Sequence, residues 1–320
     1  MEFVNRIICD DCIEGMKALP DNSIAVCITD PPYNYEFIGR KWDKDEIDRR
    51  LARVGKKSSN TLVKNIPYGS GLAGGVRNAR WYQRNRENIV AYRQWVETWG
   101  QELYRILKPG AFVLTFNSTR TIAHVQVALE NVGFYARDII VWRRNSGIPK
   151  GLNVRNKLEK MGYENPERWD GWHSCLRNEW EAISVVQKPL INNYIETLEK
   201  FNVGLLYTKA ADGGFQSNII EGIRNSKEES FIPHVTVKPK ELIKKLIRMS
   251  VPMIRGNIVI DPFMGSGTTA VAAKELGLDY VGFEIVEEYI DIANRRLRVV
   301  SNVIEPGHRK GSSHLIRRYD

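Results

Sequence analysis

The sequence predicts an α/β protein built on a doubly wound, mostly parallel sheet. Several short runs are continuously apolar rather than alternating, as expected for strands that are covered on both faces. Segments with helical spacing of apolar residues fall between those runs, which favours parallel strands joined by helices. The length of 320 residues and the hydrophobic content of 42% suit one large domain with a smaller insertion.

Seven segments are predicted to be strands because they are short and largely apolar. In chain order they are Arg6–Cys9, Ile24–Thr29, Ala111–Phe116, Asp138–Trp142, Ala182–Val186, Asn257–Asp261 and Asp279–Glu284. A long helix is predicted at Val90–Leu107, where the apolar residues have helical spacing and a Lys-Pro-Gly terminator follows. Further helices are predicted at Pro239–Met249, Thr268–Glu275 and Glu287–Leu297.

The regular alternation fails in two stretches. The first, Arg40–Arg93, holds 14 Lys and Arg against 5 Asp and Glu, an excess that equals the +9 net charge of the whole chain. It also contains aromatic residues and the glycine-rich run Tyr68–Gly75. Basic groups and aromatic rings suit phosphates and unstacked bases, although a solvated surface loop fits the composition equally well. The second stretch, Asn145–Phe231, is too long for a structureless loop without a function.

The composition also excludes some classes of protein. No apolar run approaches the length of a membrane span and the N-terminus lacks a signal-peptide pattern, so we expect a soluble, cytoplasmic protein. The four cysteines are too few for a disulfide framework. Cys9 and Cys12 form a C-x-x-C, but no second pair with zinc spacing accompanies it, and we predict no metal site.

The motif ITDPPYN at Ile28–Asn34 ends a predicted core strand with an acid, two prolines and an aromatic ring. The prolines fix their own φ angles and restrict their neighbours, so the turn after Asp30 is rigid. On its own, the motif also fits a strand-ending turn with a buried tyrosine. Its meaning therefore depends on the rest of the chain.

A second motif, Asn257–Gly277, is predicted to be a strand, a glycine turn and the start of a helix. Gly265 and Gly267 let the backbone pass close to a ligand at a helix N-terminus. Glu284, at the end of the next strand, is placed to accept hydrogen bonds from ribose hydroxyls. The spacing fits a dinucleotide fingerprint, so a nicotinamide oxidoreductase is one interpretation and a tight turn without a ligand is another. The Lys-Ser/Thr pair of a P-loop is absent.

The order of the two motifs argues against the oxidoreductase. The glycine turn begins about 55 residues from the C-terminus, whereas a dinucleotide enzyme continues through several further βα units. Together, DPPY at Asp30–Tyr33 and DPFMGSGTT at Asp261–Thr269 resemble the catalytic and cofactor motifs of amino-group DNA methyltransferases. Their order is similar to the β arrangement of that family, and the resemblance covers most of Ile7–Leu297.

The resemblance implies a Rossmann-like, S-adenosylmethionine-dependent methyltransferase fold with an inserted target-recognition region. Enzymes of this family methylate N6 of adenine or N4 of cytosine in a specific duplex sequence, after flipping the base out of the helix. Asp30 and the Pro31 carbonyl would accept the two amino hydrogens of the base. Pro32 would keep the turn rigid, and Tyr33 would stack on the flipped base.

The same resemblance implies a set of cofactor contacts. Gly265 and Gly267 would lie beside the methionine part of S-adenosylmethionine, and Glu284 would hold the ribose. The other positions implied are Asp11 and Cys12 on the adenine side, Phe263 packed against the cofactor, Asp261, Ser266 and Thr268 around the turn, and His234 and Lys238, which meet either the cofactor carboxylate or the catalytic loop.

The resemblance also divides the chain. A first catalytic part covers 1–144, with the catalytic loop 30–34 and the basic insertion 40–93. A target-recognition region at 145–231, a cofactor-binding part at 232–300 and a basic tail at 301–320 follow. Basic and aromatic residues in 145–231 suit phosphate and base contacts, although packing explains its tryptophans equally well.

Aspartate at the first catalytic position favours adenine N6, because cytosine-N4 enzymes more often have serine there. The alternatives are cytosine-N4 methylation, a nicotinamide oxidoreductase, a DNA-binding protein that has lost catalysis, and RNA as the substrate. The expected partners are double-stranded DNA, a second copy of the chain in a homodimer and a cognate restriction endonuclease, with no membrane.

Overall fold

The computed structural model describes residues 2–32, 79–144, 151–210, 212–233 and 237–300. The strands in these ranges are β1 (Arg6–Cys9), β2 (Ile24–Thr29), β3 (Leu107–Asn117), β4 (Tyr135–Arg143), β5 (Trp180–Gln187), β6 (Ile219–Ile220), β7 (Ile258–Asp261) and β8 (Asp279–Glu284). The α-helices are α1 (Cys12–Lys17), α2 (Ala79–Ile106), α3 (Ile122–Val132), α4 (Val154–Lys160), α5 (Tyr194–Phe201), α6 (Lys240–Ser250), α7 (Thr268–Glu275) and α8 (Glu287–Val299). Tyr33, His234, most of the basic insertion 40–93 and the tail 301–320 lie outside the described residues.

These strands form one sheet in the order β1-β8-β7-β2-β3-β5-β4-β6. The pairs β1·β8, β8·β7, β7·β2, β2·β3 and β4·β6 are parallel, and β5 runs antiparallel to β3. Helices connect most of the strands along the chain. The predicted α/β class with a mostly parallel sheet is therefore confirmed.

The centre of the sheet is the pair β2·β7. All six residues of β2 are buried, as are all four of β7. Their register places Val26 opposite Val259 and Cys27 opposite Ile260. From this pair the chain continues in opposite directions, because β2 is followed by its neighbour β3 and β7 by its neighbour β8. Such a switch point leaves a crevice at the carboxyl ends of the strands, where α/β proteins bind ligands.

The predicted strand and helix positions agree with the structure except at their limits, in the shorter helices and at the two-residue strand β6, which was not predicted. Helix α2 begins at Ala79 rather than Val90, and the prediction missed its first turns because most of their residues are polar and give no regular helical pattern. Strand β3 extends the predicted Ala111–Phe116 in both directions. Four helices of the described ranges were not predicted, α1, α3, α4 and α5, and none of these has more than 11 residues. Short helices give little periodic signal.

The chain divides into two compact units. The first comprises residues 1–33, 92–143 and 181–320, and it contains the sheet. The second comprises residues 34–91 and 144–180, so the limit at Trp180 falls inside the predicted recognition region 145–231. None of the helices in the described ranges has the length and apolar character needed to cross a membrane.

Within the second unit, the described part of 144–180 is a small polar assembly. Asn153 caps helix α4 by accepting a hydrogen bond from the backbone N–H of Asn156 at 2.9 Å. Its backbone also pairs with that of His173 in an isolated antiparallel bridge. The rings of Trp169 and Trp172 meet edge to face at 6.3 Å, and both are exposed. Helix α4 has no buried residue.

Candidate active site

Most of the predicted site residues that the structure describes lie at the carboxyl ends of β1, β8, β7 and β2. Cys9 ends β1, Glu284 ends β8, Asp261 ends β7 and Thr29 ends β2, directly before Asp30. Because these four strands are parallel neighbours, the turns that follow them lie along one edge of the sheet. The two motifs, far apart in sequence, are therefore adjacent in the fold.

The turn after β7 depends on its glycines. Gly265 and Gly267 have φ angles of 51° and 83°, in the left-handed region that favours glycine. A Cβ atom at Gly267 would lie 2.5 Å from the Cβ of Ala293 in α8, so the turn and that helix pack too closely for a side chain. Backbone N–H groups at this turn open helix α7, in the arrangement that suits a polar or anionic ligand.

Glu284 and the glycine turn are joined by a hydrogen bond. The Gly265 backbone N–H donates to Oε2 of Glu284 at 2.8 Å, and the Val286 N–H donates to Oε1 at 2.9 Å. Burial is the main influence on this carboxyl and raises its pKa. The carboxylate is thereby fixed in orientation at the end of β8, and its remaining lone pairs suit hydroxyl donors.

Asp261 ties three elements together from beneath the turn. Its Oδ1 accepts hydrogen bonds from Oγ1 of Thr29 at 2.7 Å and from the Phe263 N–H at 3.0 Å. Its Oδ2 accepts one from Oγ1 of Thr269 at 2.7 Å. Burial raises its pKa to about 6. The carboxylate is buried and both of its oxygens accept hydrogen bonds from protein groups. Its role in the structure is therefore to hold β2, β7 and α7 together.

Ser266 and Thr268 are held by an arginine that the sequence analysis did not identify. Nη1 of Arg296, in α8, donates to the Ser266 carbonyl at 2.7 Å and to Oγ1 of Thr268 at 2.9 Å. Burial lowers the pKa of this guanidinium. Arg296 lies in a helix with many charged residues, and nothing in the sequence distinguishes it from the other arginines there. Its contact with the glycine turn could therefore not be predicted.

On the adenine side of the predicted cofactor site, Asp11 and Cys12 begin helix α1. Oδ1 of Asp11 accepts a hydrogen bond from the Ile13 N–H at 2.8 Å, an N-cap. Cys12 is buried, and burial raises the pKa of its thiol above the usual range. Asp11 itself is exposed at the site edge, whereas Cys12 is a packing residue in this structure.

Phe263 belongs to an aromatic cluster with helix α2. Its ring centroid lies 5.4 Å from that of Trp95 and 5.7 Å from that of Trp99. Trp99 is fully buried, whereas Phe263 is only partly so. The ring is thus supported on one side by tryptophans and retains a partly exposed surface at the turn. Its predicted packing against the cofactor stays a prediction.

The turn after β2 carries the predicted catalytic residues Asp30, Pro31 and Pro32. Nζ of Lys238 donates to Oδ2 of Asp30, and it lies 3.6 Å from Oε2 of Glu181 in β5. The same Nζ is 5.1 Å from the centre of the Phe116 ring. Two carboxylates therefore face one buried ammonium. The contact with the catalytic loop is one of the two predicted for Lys238, and the contact with the cofactor carboxylate stays a prediction.

Glu181 was not predicted as a site residue. Glu181 belongs to no sequence motif, and the antiparallel pairing of β5 with β3 brings the start of β5 to the carboxyl edge, where Asn117 pairs with Ala182. Among the described residues there is no group of three or more Cys, His, Asp or Glu arranged to hold a metal.

Comparison with known proteins agrees with this geometry. The model of the N6/N4 DNA methylase family matches residues 24–295. The type II methyltransferase M.HindIII of Haemophilus influenzae is 31% identical over 314 residues, which cover 94% of this chain and 97% of that protein. M.HinfI of Haemophilus influenzae is 28% identical over 302 residues, covering 93% and 70% of the two chains.

Solved structures share the fold at lower sequence identity. The M1.HpyAVI–SAM complex has a TM-score of 0.53 at 20% identity and covers 92% of this chain and 99% of its own. The cytosine-N4-specific PvuII DNA methyltransferase has a TM-score of 0.56 at 16% identity, with coverages of 93% and 87%. The family match extends over strands β2 to β8 and both motifs. The chain therefore belongs to the N6/N4 family of DNA methylases.

Proposed function

We propose that this protein transfers a methyl group from S-adenosylmethionine to the N6 amino group of adenine in a specific duplex DNA sequence. The observation that carries the proposal is the contact between the two motifs. Thr29, which precedes Asp30, donates its hydroxyl hydrogen to Asp261 at the base of the glycine turn, at 2.7 Å. A cofactor in the turn and an amine at Asp30 would therefore be neighbours, as methyl transfer requires.

The residues of the glycine turn fit S-adenosylmethionine. The glycines of the turn leave its backbone accessible to a ligand, since they carry no side chains to cover it. Glu284 has an oriented carboxylate that can accept hydrogen bonds from ribose hydroxyls, and Phe263 has a partly exposed ring that can pack on the cofactor. M1.HpyAVI and the Thermus thermophilus protein TTHA0409, which share the fold, were solved as complexes with this cofactor. When bound, S-adenosylmethionine supplies an electrophilic methyl group on a sulfonium sulfur.

The turn after β2 supplies what an exocyclic amine needs. The nitrogen lone pair of such an amine is delocalised into the base ring, so the amine is a poor nucleophile. Asp30 accepts one amino hydrogen and the Pro31 carbonyl accepts the other, which favours the pyramidal nitrogen of the transition state. Tyr33 stacks on the base, which must leave the duplex at a cost of a few kcal/mol.

Lys238 and Glu181 complete this arrangement. The ammonium fixes one oxygen of Asp30, and the Glu181 carboxylate 3.6 Å away limits where that ammonium can move. The carboxylate of Asp30 then has one orientation when the base arrives, and no reorganisation is needed at the moment of reaction. Lys238 thus acts on the acid in this proposal rather than on the cofactor carboxylate.

Adenine N6 is proposed over cytosine N4 because the first catalytic residue is Asp30. The second candidate, cytosine N4, is kept because the PvuII enzyme, specific for cytosine N4, has the same fold. The two bases present the same kind of amine to the turn, so the pocket that surrounds the flipped base decides between them.

Double-stranded DNA is the partner that follows from the family. Recognition of its sequence is assigned to 145–231, where the exposed rings of Trp169 and Trp172 and the cations of α4 suit base and phosphate contacts. The type II names of M.HindIII and M.HinfI support a cognate restriction endonuclease as a further partner. A homodimer and a cytoplasmic location complete the proposal, and light scattering tests the homodimer.

The test is to incubate the protein with mixed-sequence duplex DNA and methyl-labelled S-adenosylmethionine, then to digest the DNA and identify the labelled nucleoside. Labelled N6-methyladenine supports the proposal, and labelled N4-methylcytosine moves it to the second candidate. Absence of label, while the cofactor still binds, would contradict activity on that DNA and direct the assay to RNA.

A further inference from the structure

The two consecutive prolines after Asp30 pose a structural problem. Neither Pro31 nor Pro32 has a backbone N–H, so this turn cannot be anchored by donating backbone hydrogen bonds at those positions. It can be anchored there only through its carbonyl groups, which need donors from elsewhere in the protein. In the proposed mechanism the Pro31 carbonyl serves the substrate amine, which leaves the Pro32 carbonyl for the anchor.

The structure provides that donor. The hydroxyl of Tyr92, in helix α2, donates to the Pro32 carbonyl at 3.0 Å. Tyr92 is 1% exposed, and its ring stacks on Trp95 with a centroid distance of 5.8 Å. A buried, packed ring holds its hydroxyl in one place, so the position of the Pro32 carbonyl is set by helix α2.

The direction of this hydrogen bond is fixed by a second residue. Nδ2 of Asn117, at the end of β3, donates to the Tyr92 hydroxyl at 2.9 Å. The other end of the amide, Oδ1, accepts from the Ser118 N–H at 2.8 Å and from the Thr121 hydroxyl. A backbone N–H can only donate, so Oδ1 must face Ser118 and Nδ2 must face the Tyr92 hydroxyl. The chain therefore runs from Asn117 to Tyr92 and on to the Pro32 carbonyl.

We propose that Tyr92 is a positioning residue for methyl transfer, with Asn117 as its support. The chain links the ends of β3 and β2 through helix α2, and Asn117 and Thr121 are as completely buried as Tyr92. These hydrogen bonds set the height of the Asp30–Pro32 turn above the sheet. They thereby position the Asp30 carboxylate and the Pro31 carbonyl, the two groups proposed to accept the amino hydrogens. This inference rests on the proposed catalytic role of that turn.

The test uses Tyr92→Phe, which removes the hydroxyl and keeps the ring. We expect the single-turnover rate of DNA methylation to fall about tenfold or more, because small misplacements of reacting groups have large effects on rate. The affinity for S-adenosylmethionine should stay within about twofold of the wild type, since no cofactor contact changes. A general loss of stability would not lower the methylation rate while leaving the affinity for S-adenosylmethionine unchanged.

Tyr135→Phe is the matched control. Its hydroxyl, in β4, donates to Oε1 of Gln187, so the substitution also removes a hydrogen-bonded tyrosine hydroxyl. It should lower the thermal stability, by less than Tyr92→Phe does because Tyr135 is only partly buried, and leave the methylation rate unchanged. If Tyr92→Phe methylates DNA as fast as the wild type, or loses rate only as much as Tyr135→Phe, the proposal is wrong.

A double-mutant cycle tests the chain itself. Asn117→Ala alone should lower the single-turnover rate, but it should add little in the Tyr92→Phe background, because both changes break one connected path. If the rate decreases of the two single variants multiply in the double variant, Asn117 does not act through Tyr92 and its proposed role is wrong. The underlying function is checked separately: an inactive wild type would reject the proposed activity, and an active Asp30→Ala would reject the catalytic turn, in either case before Tyr92 is considered.

Discussion

Asp30 and Asp261 stand at the ends of neighbouring parallel strands, but the protein surrounds the two carboxylates differently. Asp261 is buried and accepts hydrogen bonds from two threonine hydroxyls and a backbone N–H. Asp30 is partly exposed and meets the ammonium of Lys238, with Glu181 behind it. Neutral donors from β2, α7 and the turn after β7 hold the Asp261 carboxylate, whereas an ion pair with Lys238 orients Asp30 at the edge of the crevice. Position at a strand end alone does not assign a function.

The cost of burying the Asp261 carboxylate can be measured from the pH dependence of the free energy of unfolding. The folded-state pKa of Asp261, about 6, lies above its ordinary value of 3.8. The folded protein therefore holds this proton more tightly than the unfolded chain, and the stability that it contributes at low pH is lost as the pH rises through about 6. Relative to Asp261→Asn, the wild-type free energy of unfolding should fall by about 3 kcal/mol between roughly pH 4 and pH 6.

Urea denaturation at a series of pH values measures this difference. Asp279→Asn is the control, because Asp279 lies at the opposite end of β8 and accepts a hydrogen bond from Asn5 at 2.8 Å. The pH dependence of this variant shows how much of any change comes from removing a strand-end carboxylate in general. A wild-type stability that rises relative to Asp261→Asn as the pH increases would show that the carboxylate is held by favourable charge interactions instead.

The next effect in size is expected at Lys238. Lys238→Met leaves the carboxylates of Asp30 and Glu181 close together without the ammonium, and we expect methylation to slow by about 100-fold. If Lys238 serves Asp30, the dissociation constant of S-adenosylmethionine should change by less than about threefold. Isothermal titration of the cofactor and single-turnover assays separate the two effects.

Lys240→Met provides a matched control, since Lys240 pairs with Glu275 at 2.6 Å rather than with Asp30. Its methylation rate should stay close to that of the wild type. A large loss of cofactor affinity in Lys238→Met, with a normal rate at saturating cofactor, would instead support the contact with the cofactor carboxylate.

A smaller effect is expected at Glu181. Glu181→Gln keeps the size of the side chain but weakens its hold on Lys238, so we predict a decrease in rate of about fivefold. Glu102→Gln is the comparison, because Glu102 forms an ion pair with Arg105 at 2.9 Å and has no place in the site. Should Glu181→Gln slow the reaction more than Lys238→Met does, Glu181 would have a role of its own beyond holding the lysine.

The sequence predicted the sheet well because its central strands are buried on both faces. Ile24–Thr29 is continuously apolar up to its last residue, and its predicted limits match β2. The family was also identified correctly from two motifs and their order, and the match over residues 24–295 confirms it. Both successes rest on signals that the sequence shows directly, a run of apolar residues in one case and two short motifs with their order in the other.

The contacts that organise the site could not be predicted in the same way. Glu181, Tyr92 and Arg296 belong to no motif, and each reaches the site through packing between elements distant in sequence. Tyr92 and Pro32, for example, are joined across 60 positions of the chain. Residues that support a site take their roles from tertiary contacts, which hydrophobic periodicity does not describe.

The proposed role of Asp30 is tested most directly by Asp30→Ala, assayed for cofactor binding and methyl transfer in parallel. We expect the variant to bind S-adenosylmethionine as tightly as the wild type, because the glycine turn and Glu284 are unchanged. Single-turnover methylation should fall by about 1,000-fold, as expected when a group that stabilises developing charge is removed. A variant that still methylates DNA at a rate near that of the wild type would contradict the central claim that Asp30 activates the amine.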